Sequence, residues 1–377
     1  MEKRYLFTPG PTPVPPEVLA AMAEPMVHHR GADFQAVYTR CLSRLQDVYR
    51  TKRPVLLFSA SGTGAMDSAV TNLTRAGDRV AVVVAGAFGE RWVKMCEHYG
   101  LDVQRVDYAW GDVPDPGEVA GAVAESGAGI VFCTHSETST GVVADVQGLK
   151  AAIGDVIVAV DAVSSLGAVP LETDAWGIDV VLSGSQKALM CPPGLAMASV
   201  ADALWDGLPP SRSFYFDWRA TRRAQEVFDA AFTPAVSLIK GLDVALGMLL
   251  EDGLEAGFDR HVRLGRAARA GIKAMGLDLF SPDDDTAAVV TAVRCPDGID
   301  GTELLRHLRS RHGVTLAPGQ GAFKGKIFRI GHIGWFDVFD IAAALAAVEL
   351  SLTELGADIE RGVAVSAAFD AYDRVPA

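Results

Sequence analysis

The sequence lacks any apolar run long enough to span a bilayer: its longest hydrophobic stretches are strand-sized and broken by glycine, or helix-sized and broken by charge. The opening residues, MEKRYLFTPGP, lack the apolar core of a secretory leader, and the two absences together predict a soluble, cytoplasmic protein with no membrane partner. Cysteine is scarce and scattered. The five residues, at 41, 96, 133, 191 and 295, show neither metal-type nor thioredoxin-type spacing, which fits small buried hydrophobes in a reducing compartment. No HExxH pair occurs among the eight histidines, so no metal is expected. Basic residues are in deficit, 34 against 47 acidic, for a net charge of −13. The short groups Arg219 to Arg223 and Arg306 to Arg311 do not build a basic face, so nucleic acid is not an expected partner. Internal repeats and low-complexity linkers are absent as well.

What is present is a 377-residue chain, 49% hydrophobic, long enough for two cores. Apolar runs of strand length, VLLF at 55 to 58, RVAVVVAG at 79 to 86, GIVFCTH at 129 to 135, VIVAVDAV at 156 to 163, DVVLSGS at 179 to 185 and LAMASV at 195 to 200, alternate with segments of helical period. In one such segment, GERWVKMCEHYG, Trp92, Val93, Cys96 and Tyr99 recur on one face. The alternation predicts an α/β fold with a mostly parallel sheet flanked by helices. A long helical region from about Pro234 to Met275 leads to a second unit read as strand, helix, strand, strand, helix. The expected division is an N-terminal arm over 1–15, a large domain over 16–260 and a smaller α+β domain over 261–377, whose tail after about Gly356 either packs as a final helix or frays.

Within this frame Lys187, in SGSQKAL, closes the apolar strand DVVLSGS. A lysine there reads either as a solvated residue after a buried strand or as a nucleophilic Schiff-base lysine, because strand ends of α/β folds face ligands and burial lowers an ammonium pKa. Its company favours the second. Asp161 ends the buried strand VIVAVD, where an isolated carboxylate is costly without a cationic partner. The protonated ring nitrogen of pyridoxal phosphate is such a partner. The segment VLLFSASGTGAMDSAVTNL reads strand, Ser/Gly turn, helix, and would set Ser61, Gly62 and Thr63 at a helix N-terminus suited to a phosphate. Alone this is a weak signal, but a dinucleotide fingerprint fails at Asp67, where a third glycine belongs.

On these residues the chain resembles the class V, fold type I aminotransferases, most closely the alanine–glyoxylate and serine–glyoxylate group. The resemblance runs in order from FTPGPTPVPPEVLAAM through HHR at 28 to 30, SASGTGAMDSA, THSETSTG, VDAVSSLGAVPL and SGSQKALMCPPG to FRIGHIG, covering roughly residues 5 to 350. It implies that Lys187 binds the aldehyde of pyridoxal 5'-phosphate covalently, that Asp161 pairs with the ring nitrogen, and that Gln186 with Ser61, Gly62 and Thr63 holds the phosphate. Phe88 matches a ring-stacking aromatic that is often tryptophan in relatives, so a smaller stacking face is implied. Thr138 matches the hydroxyl near the cofactor's ring oxygen. Thr233 matches a residue donated across a homodimer interface to the phosphate, although Ala230 stands where relatives often carry tyrosine. Arg329, in KIFRIGHIG, matches the guanidinium that clamps the substrate carboxylate.

The implied activity moves an amino group from a small L-amino acid, alanine or serine, to a 2-oxo acid, glyoxylate or pyruvate, in ping-pong fashion with Lys187 as the proton carrier. Aspartate, ureidoglycine, aminoethylphosphonate or pyridoxamine remain alternative donors. A lyase or desulfurase would need a nucleophilic cysteine near the substrate, for which Cys295 in RCPDGIDG is the one candidate in the last third. An assembly subunit without catalysis has no physical need for the Lys187, Asp161 and phosphate-turn set. His135 and Glu137 read as orienting residues for Thr138 and Ser139, and His332 as a neighbour of the substrate loop.

Overall fold

A computed structural model describes residues 3–373. Its centre is a seven-stranded sheet whose order is Val55–Phe58, Ala196–Val200, Val180–Gly184, Ile157–Asp161, Ile130–Thr134, Arg79–Val84 and Asp102–Asp107. All neighbours pair in parallel except Ala196–Val200, which runs antiparallel to both of its neighbours. The inner strands are apolar on both faces because helices cover both. Leu57, Val158, Val160 and Val181 enter one core, while Leu56, Phe58, Ala159, Val180 and Leu182 enter the other. The strand Asp102–Asp107 escapes a search for apolar runs because it lies at the edge and carries the partly exposed sequence DVQRVD.

The expected helical region divides in two. Val236–Glu251 and Leu254–Ala274 are separated at Gly253, whose φ of +82° breaks the helix at little steric cost. The second helix runs through residues 260 and 261 and packs on a three-stranded antiparallel sheet, Val290–Arg294, Ile327–Gly331 and Ala317–Pro318, together with the helices Gly301–His312 and Val338–Glu354. Asp300 caps the first of these helices, and Asp337 with Asp340 forms a capping box on the second. The tail forms the helix Val363–Tyr372, which buries Ala364 and Ala368 in the same core.

The N-terminal arm ties the two sheets together. Tyr5–Leu6 pairs with Val314–Thr315, and the Phe7 carbonyl accepts from the Gly331 amide at 2.8 Å. A few residues on, the Thr12 amide donates to the Gln186 carbonyl at 3.2 Å. The arm therefore crosses the carboxyl ends of the central strands, where open α/β sheets bind ligands. Among the described residues, no helix is long and apolar enough to cross a membrane.

Candidate active site

Asp161 is the last residue of its strand, in register with Thr134 on one side and Leu182 on the other. Lys187 follows the neighbouring strand Val180–Gly184 by three residues, so the two side chains meet at adjacent strand ends. They line one cavity of about 230 Å³ together with Gly10, Ser61, Gly62, Thr63, Phe88, Arg91 and Gln186. Seven positions from four separate segments, Ser61, Gly62, Thr63, Phe88, Asp161, Gln186 and Lys187, are thus brought together.

Electrostatics set the character of this cavity. Burial first, then the Arg329 charge, pull the Lys187 ammonium pKa down to about 8 against the opposing pull of Asp161 and Glu137. Burial likewise pushes Asp161 up to about 6, although the Val163 amide donates to its Oδ1 at 2.9 Å. Lys187 Nζ donates to the Pro9 carbonyl at 2.6 Å. The arm approaches so closely that a Cβ on Gly10 would lie 2.4 Å from Lys187 Cε.

At the other end of the cavity, Ser61 is the N-cap of the helix Gly62–Leu73, and no side chain caps its first turn. Its leading amides and positive dipole end are available to an anion. Gly62 is required by packing, since a Cβ there would stand 2.7 Å from Val163 Cγ2. The Gln186 side chain lines the same cavity, and its buried Oε1, an acceptor, has no hydrogen-bond partner. Phe88 lies on the helix Ala87–His98, and the Arg91 guanidinium covers its ring at 4.6 Å while donating to Thr63 Oγ1 at 2.9 Å.

Three expected site residues stand apart from this lining. Arg329 is buried on the strand Ile327–Gly331, where its Nε and Nη2 donate to the Pro318 carbonyl and its Nη1 to the Thr138 carbonyl. Burial lowers its pKa to about 10, which leaves it charged at neutral pH. Thr138 is buried beside it, and its carbonyl joins the strand-end loop to the arginine. Thr233 lines a separate small hollow with Ser59, Tyr215 and Phe232.

Sequence reasoning overlooked Arg91 and the cavity-facing role of Gly10, and understated Glu137. Glu137 Oε2 accepts from the Phe88 and Gly89 amides, and its Oε1 accepts from the amide and hydroxyl of Ser139. It therefore fixes the start of the helix that carries Phe88. The spacing of Phe88 and Arg91, three residues apart on a helix, was the available signal for the arginine. His135 is buried with its pKa lowered to about 4, and His332 is held between Thr291 Oγ1 and the Ala288 carbonyl, so both sit as neutral packing groups. His28 and His29 line a groove with Thr233, and Arg30 pairs with Asp229. Cys295 packs against the core of the three-stranded sheet, with its thiol pKa raised to about 11 by burial.

Comparison with known proteins places this geometry in context. Residues 4–327 match the family described as aminotransferase class-V. A protein of Synechococcus sp. named soluble hydrogenase, small subunit, is 39% identical, covering 97% of this chain and 98% of its own. The L-aspartate–glyoxylate aminotransferase of Paracoccus denitrificans is 34% identical, covering 99% of this chain and 97% of its own. Among solved structures, ureidoglycine–glyoxylate aminotransferase from Bacillus subtilis superposes with a TM-score of 0.93 at 30% identity, covering 99% of both chains. The fold is that of the fold type I aminotransferases, and the chain belongs to the class V aminotransferase family.

Proposed function

We propose that the cavity holds pyridoxal 5'-phosphate and that the enzyme transfers an amino group from a small L-amino acid, alanine or serine, to glyoxylate or pyruvate. The observation that carries this reading is the convergence of Lys187, Asp161 and an uncapped helix N-terminus on one cavity. The residues fit the cofactor. Burial raises the Asp161 pKa to about 6, a cost of ionisation that a protonated ring nitrogen would relieve by pulling that pKa down. The amides after Ser61 and the Thr63 hydroxyl suit a phosphate, Arg91 adds a positive charge beside Thr63, and Gln186 would reach the phosphate through its Nε2 amide protons. Phe88 offers a ring face to a flat heterocycle.

When bound, pyridoxal phosphate supplies an electron sink for the α-carbon of an amino acid. Lys187 Nζ would take the proton from that α-carbon and deliver it to the cofactor's carbon, the shift that separates transamination from simple exchange at the α-carbon. With a pKa of about 8, roughly one Lys187 in ten is uncharged at pH 7, against fewer than about one in a thousand for an ordinary lysine. The Pro9 carbonyl orients Nζ, and Arg329 receives the substrate carboxylate. Three of its five N–H groups are occupied by the Pro318 and Thr138 carbonyls, which leaves two for a ligand. Thr233 and the groove beside it would serve the cavity of a second subunit, which makes the working unit a homodimer; the unpaired cysteines fit a reducing, cytoplasmic compartment. The division into an arm to residue 15, a large domain to 260 and a small domain beyond belongs to the same reading, with the small domain carrying Arg329.

The name of the Synechococcus relative raises a second reading, a hydrogenase subunit. Hydrogenase chemistry in this chain itself would call for clustered thiolates. Four of the cysteines here are buried in apolar cores and none is paired, so the donor set favours transamination.

The test is the visible absorbance of the protein supplied with pyridoxal phosphate. A cofactor band bleached by L-alanine, L-serine or L-aspartate and restored by glyoxylate supports the transaminase and names its donor. No band, or no response to any amino acid, refutes it.

A further inference from the structure

We infer that a divalent zinc-class ion binds between the ends of two helices in the C-terminal core, held by His307, His312 and Glu354. Among the described residues, these are the one group of three or more His, Cys, Asp or Glu ligand atoms lying within 4.8 Å of one another. Nothing in the transamination reading uses them.

Distances carry the inference. Nε2 of His307 and Nε2 of His312 each lie 3.3 Å from the same oxygen, Oε2 of Glu354. Tetrahedral zinc, with bonds of about 2.0–2.2 Å to nitrogen and oxygen, separates its ligand atoms by roughly 3.4 Å. The His312 contact is not a hydrogen bond: its Nε2 is buried and has no hydrogen-bond partner, as is His307 Nδ1. An unpartnered buried imidazole nitrogen is costly unless something else meets its lone pair.

The location points the same way. His312 ends the helix Gly301–His312, and Glu354 ends the helix Val338–Glu354. Both negative dipole ends therefore meet at the cluster and favour a cation. Glu354, an acid in the last turn, opposes its own helix dipole, and a bound cation relieves that conflict. The histidines follow the spacing H-x4-H, within the range found in zinc sites. Two imidazoles and one carboxylate suit zinc better than the all-oxygen sets preferred by magnesium or calcium. The three side chains are partly exposed, so water can fill a fourth position.

The experiment is a calorimetric titration of zinc chloride into the holoenzyme after treatment with a chelating resin, without substrates. We compare wild type with His307→Gln, His312→Gln and Glu354→Gln. One site per chain is expected, at micromolar or tighter dissociation constant, weakened at least about tenfold in each variant, since loss of even an outer-shell partner costs about 10–100-fold. Zinc is expected to raise the melting temperature of wild type and not of Glu354→Gln, whose circular dichroism checks that it folds. No saturable binding to wild type, or unchanged affinity in all three variants, overturns the site.

Discussion

Lys187 Nζ donates to the carbonyl of Pro9 at 2.6 Å, which joins the N-terminal arm to the lysine across 178 residues of chain. The Thr12 hydroxyl makes a second link to the Lys187 carbonyl at 3.2 Å. The arm thus aims the amine rather than merely covering it.

Gly10→Ala is expected to disable the enzyme without unfolding it. The new Cβ would meet Lys187 Cε at 2.4 Å, and the residue would be strained at a φ of +140°. A displacement of about 1 Å at a reacting group costs on the order of a hundredfold in rate. Turnover falling by at least that factor, with melting temperature nearly kept, is the expected pair of readouts; unchanged turnover would sink the aiming role.

Asp161→Asn should have opposite effects on activity and on the stability of the cofactor-free protein. The folded pKa, about 6, exceeds the ordinary 3.8, so the folded chain holds a proton that the unfolded chain releases between about pH 4 and 6. Stability falls as pH rises through that window, and the full deficit, about 3 kcal/mol, is present at pH 7. Denaturant titration at pH 7 should therefore show the cofactor-free variant to be more stable than wild type by about 1–3 kcal/mol. The same variant should lose most of its turnover. A less stable variant would mean that Asp161 is already paired without the cofactor.

Lys187 carries the reverse shift, from 10.5 to about 8. Capture of pyridoxal phosphate by the cofactor-free protein requires the neutral amine, so its rate should rise about tenfold per pH unit and level off above about pH 8. The lowered pKa also costs stability below about pH 8, and that cost is removed as pH rises from about 8 to 10.5. Stopped-flow absorbance gives the midpoint; a value near 10.5 would show a hydrated, ordinary lysine.

Arg329→Lys keeps the charge but loses the fork that reaches the Pro318 and Thr138 carbonyls and, in the proposed role, a substrate carboxylate at once. We expect KM for the amino donor to rise at least about tenfold while cofactor absorbance stays normal. An unchanged KM would place the substrate carboxylate elsewhere.

Much of this site was legible because it is built at strand ends. Asp161 closes a buried apolar strand and Lys187 stands three residues past the end of the next, and charged residues at or just beyond apolar strand ends are visible without coordinates. Arg91 and Glu137 were less legible because their partners are distant in sequence or belong to the backbone: Arg91 meets Thr63, and Glu137 meets the Phe88 and Gly89 amides. The edge strand Asp102–Asp107 escaped for a related reason, since half-exposed residues carry no continuous apolar run. The expectation of no metal rested on local spacing, and the proposed zinc site draws Glu354 from a second helix.

The sequence by itself determined the α/β alternation, the apolar strands and the kinds of chemistry available, because period, burial and charge are written locally along the chain. Tertiary structure alone decided that Ser61, Phe88, Asp161, Gln186 and Lys187 share one cavity, that Pro9 holds the amine, and that Thr233 faces a different hollow. Those relationships arise from parallel strand order and the path of the N-terminal arm, which bring together side chains that no local pattern connects.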